Sequence, residues 1–316
     1  APRVHRVGRR ALALAVAAAL SATASPNASA MPSLNVLKAA RKMRQEASPR
    51  AHVRAEDFGV PALLDTPSIT EPNPQLPPTV HYVPEFISRA DEELLLRHIA
   101  AAPASRWTPG SGGRRTQNWG GRPGEAGVRE ALPDWLQPLV DALGRSGAWP
   151  ADRLPNHVLI NEFEAGAGLT PHTDGPLYIP RVATLSLGSD CVLDLHDSAT
   201  TPPRAHLLLR RRSLNVMAGT SYTHLFHGIT AREADAFRIG AAGELVDASS
   251  NAPIANAASA TQRGTPSGPV QRQRRWSIVF VHKVLAGEQR VVAPSTPTVP
   301  SPTAVHALLK VSASGS

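Results

Sequence analysis

The sequence predicts an α+β fold with a β core, a sandwich or jelly roll preceded by two helices. Beyond Asn156 the apolar residues fall into short runs separated by Gly, Asp and Pro, as the strands of a sandwich or barrel do. Ahead of them, two stretches follow a helical rather than an alternating period. The basic charge is confined to one end. Residues 1–54 set ten Lys/Arg against the single acid Glu46, a balance of +9 that exceeds the +8 of the whole chain, so everything after Arg54 sums to −1. The part expected to fold is therefore nearly neutral, and global charge argues little for a nucleic-acid partner.

Near the start of the sequence Arg6, Arg9 and Arg10 precede the apolar stretch Ala11–Leu20, and Ala28-Ser29-Ala30 follows. That layout has the three parts of a secretory signal. Met31 offers the other reading, in which residues 1–30 are upstream sequence translated in frame. The stretch 31–78 reads as a basic segment and a linker, because Pro67, Pro72, Pro74, Pro77 and Pro78 deny it a regular element. Order is expected from His81-Tyr82-Val83. Ser88 then caps a helix, with Asp91 closing an acidic capping box and Leu94, Leu95, His98 and Ile99 forming its apolar face. After a Gly/Arg loop from Gly110 to Gly124 centred on Trp119, the residues Trp135, Leu136, Val140 and Leu143 predict a second helix.

The strand candidates follow: Val158 to Phe163, Ala183–Leu187, Val192–Leu195, Leu207–Leu209, Leu214–Met217 and Trp276–Val281. Ser198–Arg204 is a polar insert. An Ala/Ser/Asn/Gly-rich insert over 240–270 and the tail 286–316 have the composition of disordered chain. The expected organisation is thus 1–78 basic and mostly disordered, 79–285 folded, and 286–316 disordered. The lone Cys191 excludes an internal disulfide and leaves a thiolate zinc site short of ligands. No stretch approaches the ~20 apolar residues of a membrane span.

Pro171-His172-Thr173-Asp174-Gly175 is the most informative pentapeptide. On an extended segment, positions i and i+2 project to the same side, so an imidazole and a carboxylate can grip one ion. Two His and one carboxylate with open positions suit Fe(II). An H-x-D triplet also recurs in ordinary surface loops, so it needs a third ligand on a facing strand. His227, in Leu225-Phe226-His227-Gly228-Ile229, is either that ligand or a satisfied core histidine. Its rivals are His224, which on a strand would face the opposite way, and His196, which adjoins Asp197 and reads as part of a solvated turn. In Arg274-Arg275-Trp276-Ser277-Ile278-Val279-Phe280-Val281, alternation places Arg275, Ser277 and Val279 on one face. A buried Arg demands an anionic partner, and a dicarboxylate meets guanidinium bidentately. The competing reading is a basic strand edge that resists aggregation.

Together these residues resemble the AlkB family of Fe(II)/2-oxoglutarate dioxygenases, in particular the subgroup of the sixth AlkB homologue of animals and plants. The resemblance covers His81 to Leu285. It is carried by Tyr82–Ile87, Gln117–Gly121, Asn156–Asn161, His172–Tyr178 and Tyr222–Ile229. It implies a double-stranded β-helix (jelly roll) with N-terminal flanking helices. It also implies His172, Asp174 and His227 as iron ligands, and Asn161, Arg275 and Ser277 as 2-oxoglutarate contacts, with Phe163 in the same pocket and O2 as co-reactant. The implied chemistry is oxidative N-dealkylation of a nucleic-acid or protein substrate by a monomer of the nucleus or cytoplasm. A genuine signal at 1–30 would instead direct the chain to a secretory or organellar compartment.

Two departures stand out: Phe163 where the family has Tyr, and Val281 where it repeats Arg, with Lys283 nearby as a partial substitute. They motivate the rival reading of a degenerate metal-binding module that acts as a scaffold. A zinc hydrolase using the same ligands would give Arg275 no task. Arg106-Trp107, Arg114-Arg115, Trp119 and Arg122 mix cations with rings, as surfaces for single-stranded or damaged nucleic acid do, or form a solvated loop whose Trp rings pack on the core.

Overall fold

The computed structural model describes residues 58–63, 67–69 and 76–285, apart from 124, 126, 263, 265 and 267. The expectations for the basic segment, the signal-like stretch and the C-terminal tail lie outside the described residues.

Two sheets and two helices make three layers. The major sheet joins seven antiparallel strands in the order β1 (Val80–Val83), β9 (Leu214–Ala218), β6 (Arg181–Leu187), β15 (Arg275–Val281), β4 (His157–Phe163), β3 (Arg115–Trp119) and β2 (Thr108–Pro109). The minor sheet runs β5 (Leu169–His172), β10 (Phe226–Ile229), β7 (Cys191–His196) and β8 (Ala205–Leu209). Alternation sorts the major sheet's side chains. Ile160, Leu185, Val216, Ile278 and Phe280 pack on α1 (Arg89–Ala101) and α2 (Gln137–Arg145), through Leu95, Ile99, Leu136, Leu139 and Leu143. Phe163, Val182 and Met217 on the other face meet Leu193, Leu195, Leu207 and Leu209 of the minor sheet. The jelly-roll expectation and both helices are present. Phe280, 1% exposed between sheet and helices, is the kind of ring whose truncation costs about 3–5 kcal/mol.

The first helix begins as the sequence dictates. Ser88 Oγ accepts from the Asp91 amide at 3.1 Å, and the Asp91 carboxylate accepts from the Ser88 amide at 3.3 Å. The same carboxylate also holds the preceding segment, accepting from the Ala62 amide at 3.1 Å. Residues 58–63 form no helix or strand, and buried Leu63 packs into the helical layer.

The insert differs from expectation. Within it lie β13 (Leu245–Asp247), paired with β12 (Phe237–Ile239) just before the insert, and the short helix Ala257–Ala260; β11 (Ala234–Asp235) and β14 (Val270–Gln271) pair at its base. Composition concealed this because few residues do the anchoring: Leu245, Val246 and Ile254 are buried. Asn256 then acts as a surrogate strand. Its Oδ1 accepts from the Leu208 amide at 2.8 Å and its Nδ2 donates to the Leu208 carbonyl at 3.0 Å, so the β8 edge is covered.

Candidate metal centre

Between the sheets lies a cavity of about 100 Å3, with His172, Asp174 and His227 on one side and Asn161, Phe163, Arg275 and Ser277 on the other. Every site residue singled out in the sequence therefore lines one space. Pairing brings the histidines together: His227 is directly opposite His172 in the β10–β5 ladder, and their rings stand 4.5 Å apart at 50°. Directly opposed residues share a face, which is how sequence neighbours 55 positions apart become one cluster. Asp174 follows the end of β5, and one ligand atom from each of the three lies within 4.8 Å of the others.

The surroundings prepare these groups to bind a cation. His172 Nδ1 is 3.0 Å from the Thr170 carbonyl, which can only accept, so Nδ1 carries the hydrogen and Nε2 is left with its lone pair for a metal. Burial is the main reason the His227 imidazole is held below its ordinary pKa, with the Asp174 charge opposing it and His172 adding to it. It is thus a neutral, coordinating ring at neutral pH. The loop carrying Asp174 is tied down by Tyr222, whose hydroxyl donates to the Gly175 carbonyl at 2.8 Å. Burial, then the nearby Asp174 charge, pushes that phenol well above its usual range, so it remains a donor. Tyr222 escaped the sequence reading as a site residue although it belongs to the Tyr222–Ile229 motif; only its fixed distance from His227 could have flagged it.

The opposite wall is polar and underused. Arg275 is 4% exposed, at the start of β15. Its Nη2 donates to Ser186 Oγ at 2.9 Å, while its Nε has no hydrogen-bond partner. Among the described residues no carboxylate stands within ion-pairing distance of it. Asn161 Nδ2 donates to Ser277 Oγ at 3.2 Å and its Oδ1 is unpartnered. A buried cation without a counter-charge is costly by several kcal/mol, and an anionic ligand with two carboxylates relieves it. The residues present fit both a divalent metal and a dicarboxylate.

Several expectations are corrected by the fold. His224 ends the short helix α3 (Gly219–His224) rather than lying on a strand, so it is helix geometry that separates it from His227. His196 is no solvated turn residue: it is 7% exposed at the end of β7, with Nδ1 bonded to the Thr201 carbonyl at 2.7 Å. Lys283 does not stand in for the second Arg. It is turned away from the cavity, and its Nζ donates to the Arg122 carbonyl at 2.6 Å.

The cation and ring loop is also mostly committed. Arg106 stacks on Trp119 at 4.3 Å and forks onto Glu130, and Trp119 meets Trp135 edge-on. Arg115 stacks on Trp107 at 4.2 Å and pairs with Glu162. The Trp rings belong to the fold and are not free platforms for bases. No helix among the described residues is long and apolar enough to cross a membrane.

A sequence model of the 2OG-Fe(II) oxygenase superfamily matches residues 81–280. The zebrafish (Danio rerio) protein named "Probable RNA/DNA demethylase ALKBH6" is 42% identical over 167 residues, which is 49% of this chain and 70% of that protein. The Xenopus tropicalis protein "tRNA (carboxymethyluridine(34)-5-O)-methyltransferase alkbh8" is 27% identical over 53% of this chain and 27% of its own length. The solved structure of OsALKBH1 superposes with a TM-score of 0.43 at 17% identity, covering 66% of this chain and 99% of that one. The chain therefore belongs to the 2OG-Fe(II) oxygenase superfamily, as an AlkB-family dioxygenase similar to ALKBH6 whose cofactors are Fe(II), 2-oxoglutarate and O2.

Proposed function

We propose that this chain catalyses oxidative N-dealkylation of a nucleic acid, with His172, Asp174 and His227 holding iron and Arg275 with Ser277 receiving the distal carboxylate of 2-oxoglutarate. The observation that carries the reading is the pairing, in one cavity, of a three-ligand cluster with a buried, uncompensated guanidinium. Bound there, iron and 2-oxoglutarate supply the oxidising chemistry that hydroxylates an N-alkyl carbon, whose product collapses to release an aldehyde. The chain's own groups bind and orient. Thr170 fixes the His172 tautomer, Tyr222 anchors the Asp174 loop, and Ser186 aims Arg275. Phe163, buried with its ring centroid 5.7 Å from the Arg275 guanidinium, keeps water from that charge where the family's phenol would donate.

Nucleic acid as substrate is supported by the similarity to the zebrafish protein named as a probable RNA/DNA demethylase. A base must leave its stack, or lie on a single strand, to reach such a pocket. The test is mass spectrometry of N-methylated RNA, DNA and peptides after incubation with the protein, Fe(II) and 2-oxoglutarate. Loss of a methylene's mass from a nucleic acid is expected; loss from the peptides alone would overturn the substrate class. Phe163 and Val281 favour a second reading, a binding module without turnover, and conversion of 2-oxoglutarate to succinate separates the two.

A further inference from the structure

The cavity is not closed. Arg114 and Leu159 line both it and a much larger groove of about 1000 Å3 that spreads across β3 and β2. The register explains the continuity: Thr116 is opposite Asn161, Asn118 opposite Leu159, and Thr108 opposite Thr116, so the wall that holds Asn161 and Ser277 extends outward as one polar floor.

Four arginines line the groove, and their partners differ. Arg106 is neutralised by Glu130 at 2.5 Å, and Arg129 lies 3.9 Å from Glu125. Arg114 and Arg122 meet no carboxylate among the described residues. Arg122 is exposed and solvated. Arg114 differs: it is half-buried, and its Nε is shielded from solvent with no hydrogen-bond partner. Burial alone lowers its pKa, with no acid to counter it. The fold makes room for it at Gly110, where a Cβ would stand 2.9 Å from Arg114 Cγ and 3.0 Å from Nε. A desolvated guanidinium kept at the junction of two cavities, with an unsatisfied donor, is arranged to meet an anion.

The geometry points to Arg114 as a substrate-positioning residue that grips a backbone phosphate of a single-stranded nucleic acid whose reacting base enters the metal cavity. This rests on the reading of that cavity as the oxidising site. The groove favours a phosphodiester strand over a peptide for three reasons. Its uncompensated charge is positive, so a basic peptide is excluded. Its floor holds Thr108 and Thr116, whose hydroxyls bond each other at 2.9 Å, and the unpartnered Asn118 Oδ1, an acceptor suited to a sugar or base edge. Its lining carries no aromatic ring, and the nearby Trp119 and Trp107 are stacked on Arg106 and Arg115, so binding must come from charge and hydrogen bonds rather than from base stacking.

The test is fluorescence anisotropy of a short labelled oligouridine on the full chain across a salt series, comparing wild type, Arg114→Gln and Arg114→Lys. Using the full chain in every arm cancels the contribution of the basic residues before Arg54. Losing one phosphate contact should flatten the log–log salt slope by about 0.7 in Arg114→Gln, and Arg114→Lys should restore it. An unchanged slope in Arg114→Gln would overturn the assignment. So would displacement of the oligonucleotide by polyglutamate at equal charge, since the groove would then read carboxylates of an acidic protein. If the oxidising site has been misread, succinate formation is absent while the slope difference persists. If Arg114 has been misread, succinate forms and the slopes coincide.

Discussion

The two walls of the cavity differ in the charge they are prepared to meet. On the minor sheet the Thr170 carbonyl fixes His172, Tyr222 holds the Asp174 loop through Gly175, and the β5–β10 ladder places His227, a neutral ring whose Nδ1 is buried without a partner. On the major sheet Arg275 Nε and Asn161 Oδ1 are buried and unpartnered, and Phe163 supplies a ring where a donor is expected. The first wall is preorganised for a small cation. The second stores an electrostatic deficit that only an anionic ligand removes. Substitutions on the two sides should therefore behave differently, and that difference can be broken experimentally.

The largest effect is expected on the metal side. Asp174→Ala or His172→Ala should reduce bound Fe(II), measured by inductively coupled plasma mass spectrometry, to near zero while the melting temperature moves little. Both residues are only partly buried and hold no core contact. His224→Ala should leave the iron content unchanged, because its ring is exposed at a helix end.

On the other wall, Arg275→Met should weaken 2-oxoglutarate binding by about 10–200-fold, from the ~1.5–3 kcal/mol of a charge-assisted hydrogen bond. The same variant should be as stable as wild type or more so, since it deletes an uncompensated buried charge. Calorimetric titration and thermal melting read the two halves. Falling stability would show that Arg275 is already satisfied without ligand.

How much of this could be read from the sequence depends on how far each residue's partner lies along the chain. The helix cap at Ser88 and Asp91 is local, and both its hydrogen bonds are present. The alternation of β15 placed Arg275 and Ser277 together on the cavity face. His227 needed a cross-strand register that spacing alone does not give, so the family motif selected it over a core histidine. The insert was misjudged because its order rests on a few buried apolar residues, Leu245, Val246 and Ile254 the largest, and on Asn256 bonding to a strand 48 positions away. The loop rings were left between two readings for the same reason: Trp119 and Trp107 find their arginines only once the sheet has formed.

Smaller effects probe the boundary between the walls. His157 is buried near Tyr178 with neither ring nitrogen bonded. Burial, then the Lys283 charge, lowers its pKa to about 4. The unfolded chain takes up a proton near pH 6.5 that the folded chain refuses until about pH 4, so stability falls as pH drops through that window. The loss is at most about 3 kcal/mol. His157→Phe should flatten the melting temperature between those pH values, and an identical acid slope in the variant would exclude His157 as its source. Tyr222→Phe, which removes the donor to Gly175, should cost about 0.5–1.5 kcal/mol of stability and loosen metal binding a few-fold. Phe163→Tyr should tighten 2-oxoglutarate by roughly 2–10-fold if the added hydroxyl reaches it. No gain would mean the wall has closed around the phenyl ring.

The most direct measurement is succinate formation from 2-oxoglutarate by the full chain, with and without Fe(II), beside Asp174→Ala and Arg275→Met. One catalytic cavity with metal on one wall and dicarboxylate on the other predicts iron-dependent succinate in wild type. It also predicts none in Asp174→Ala, and recovery at raised 2-oxoglutarate concentration in Arg275→Met. Succinate that forms equally well without iron, or an Arg275→Met variant that no concentration rescues while its iron is lost, would contradict it.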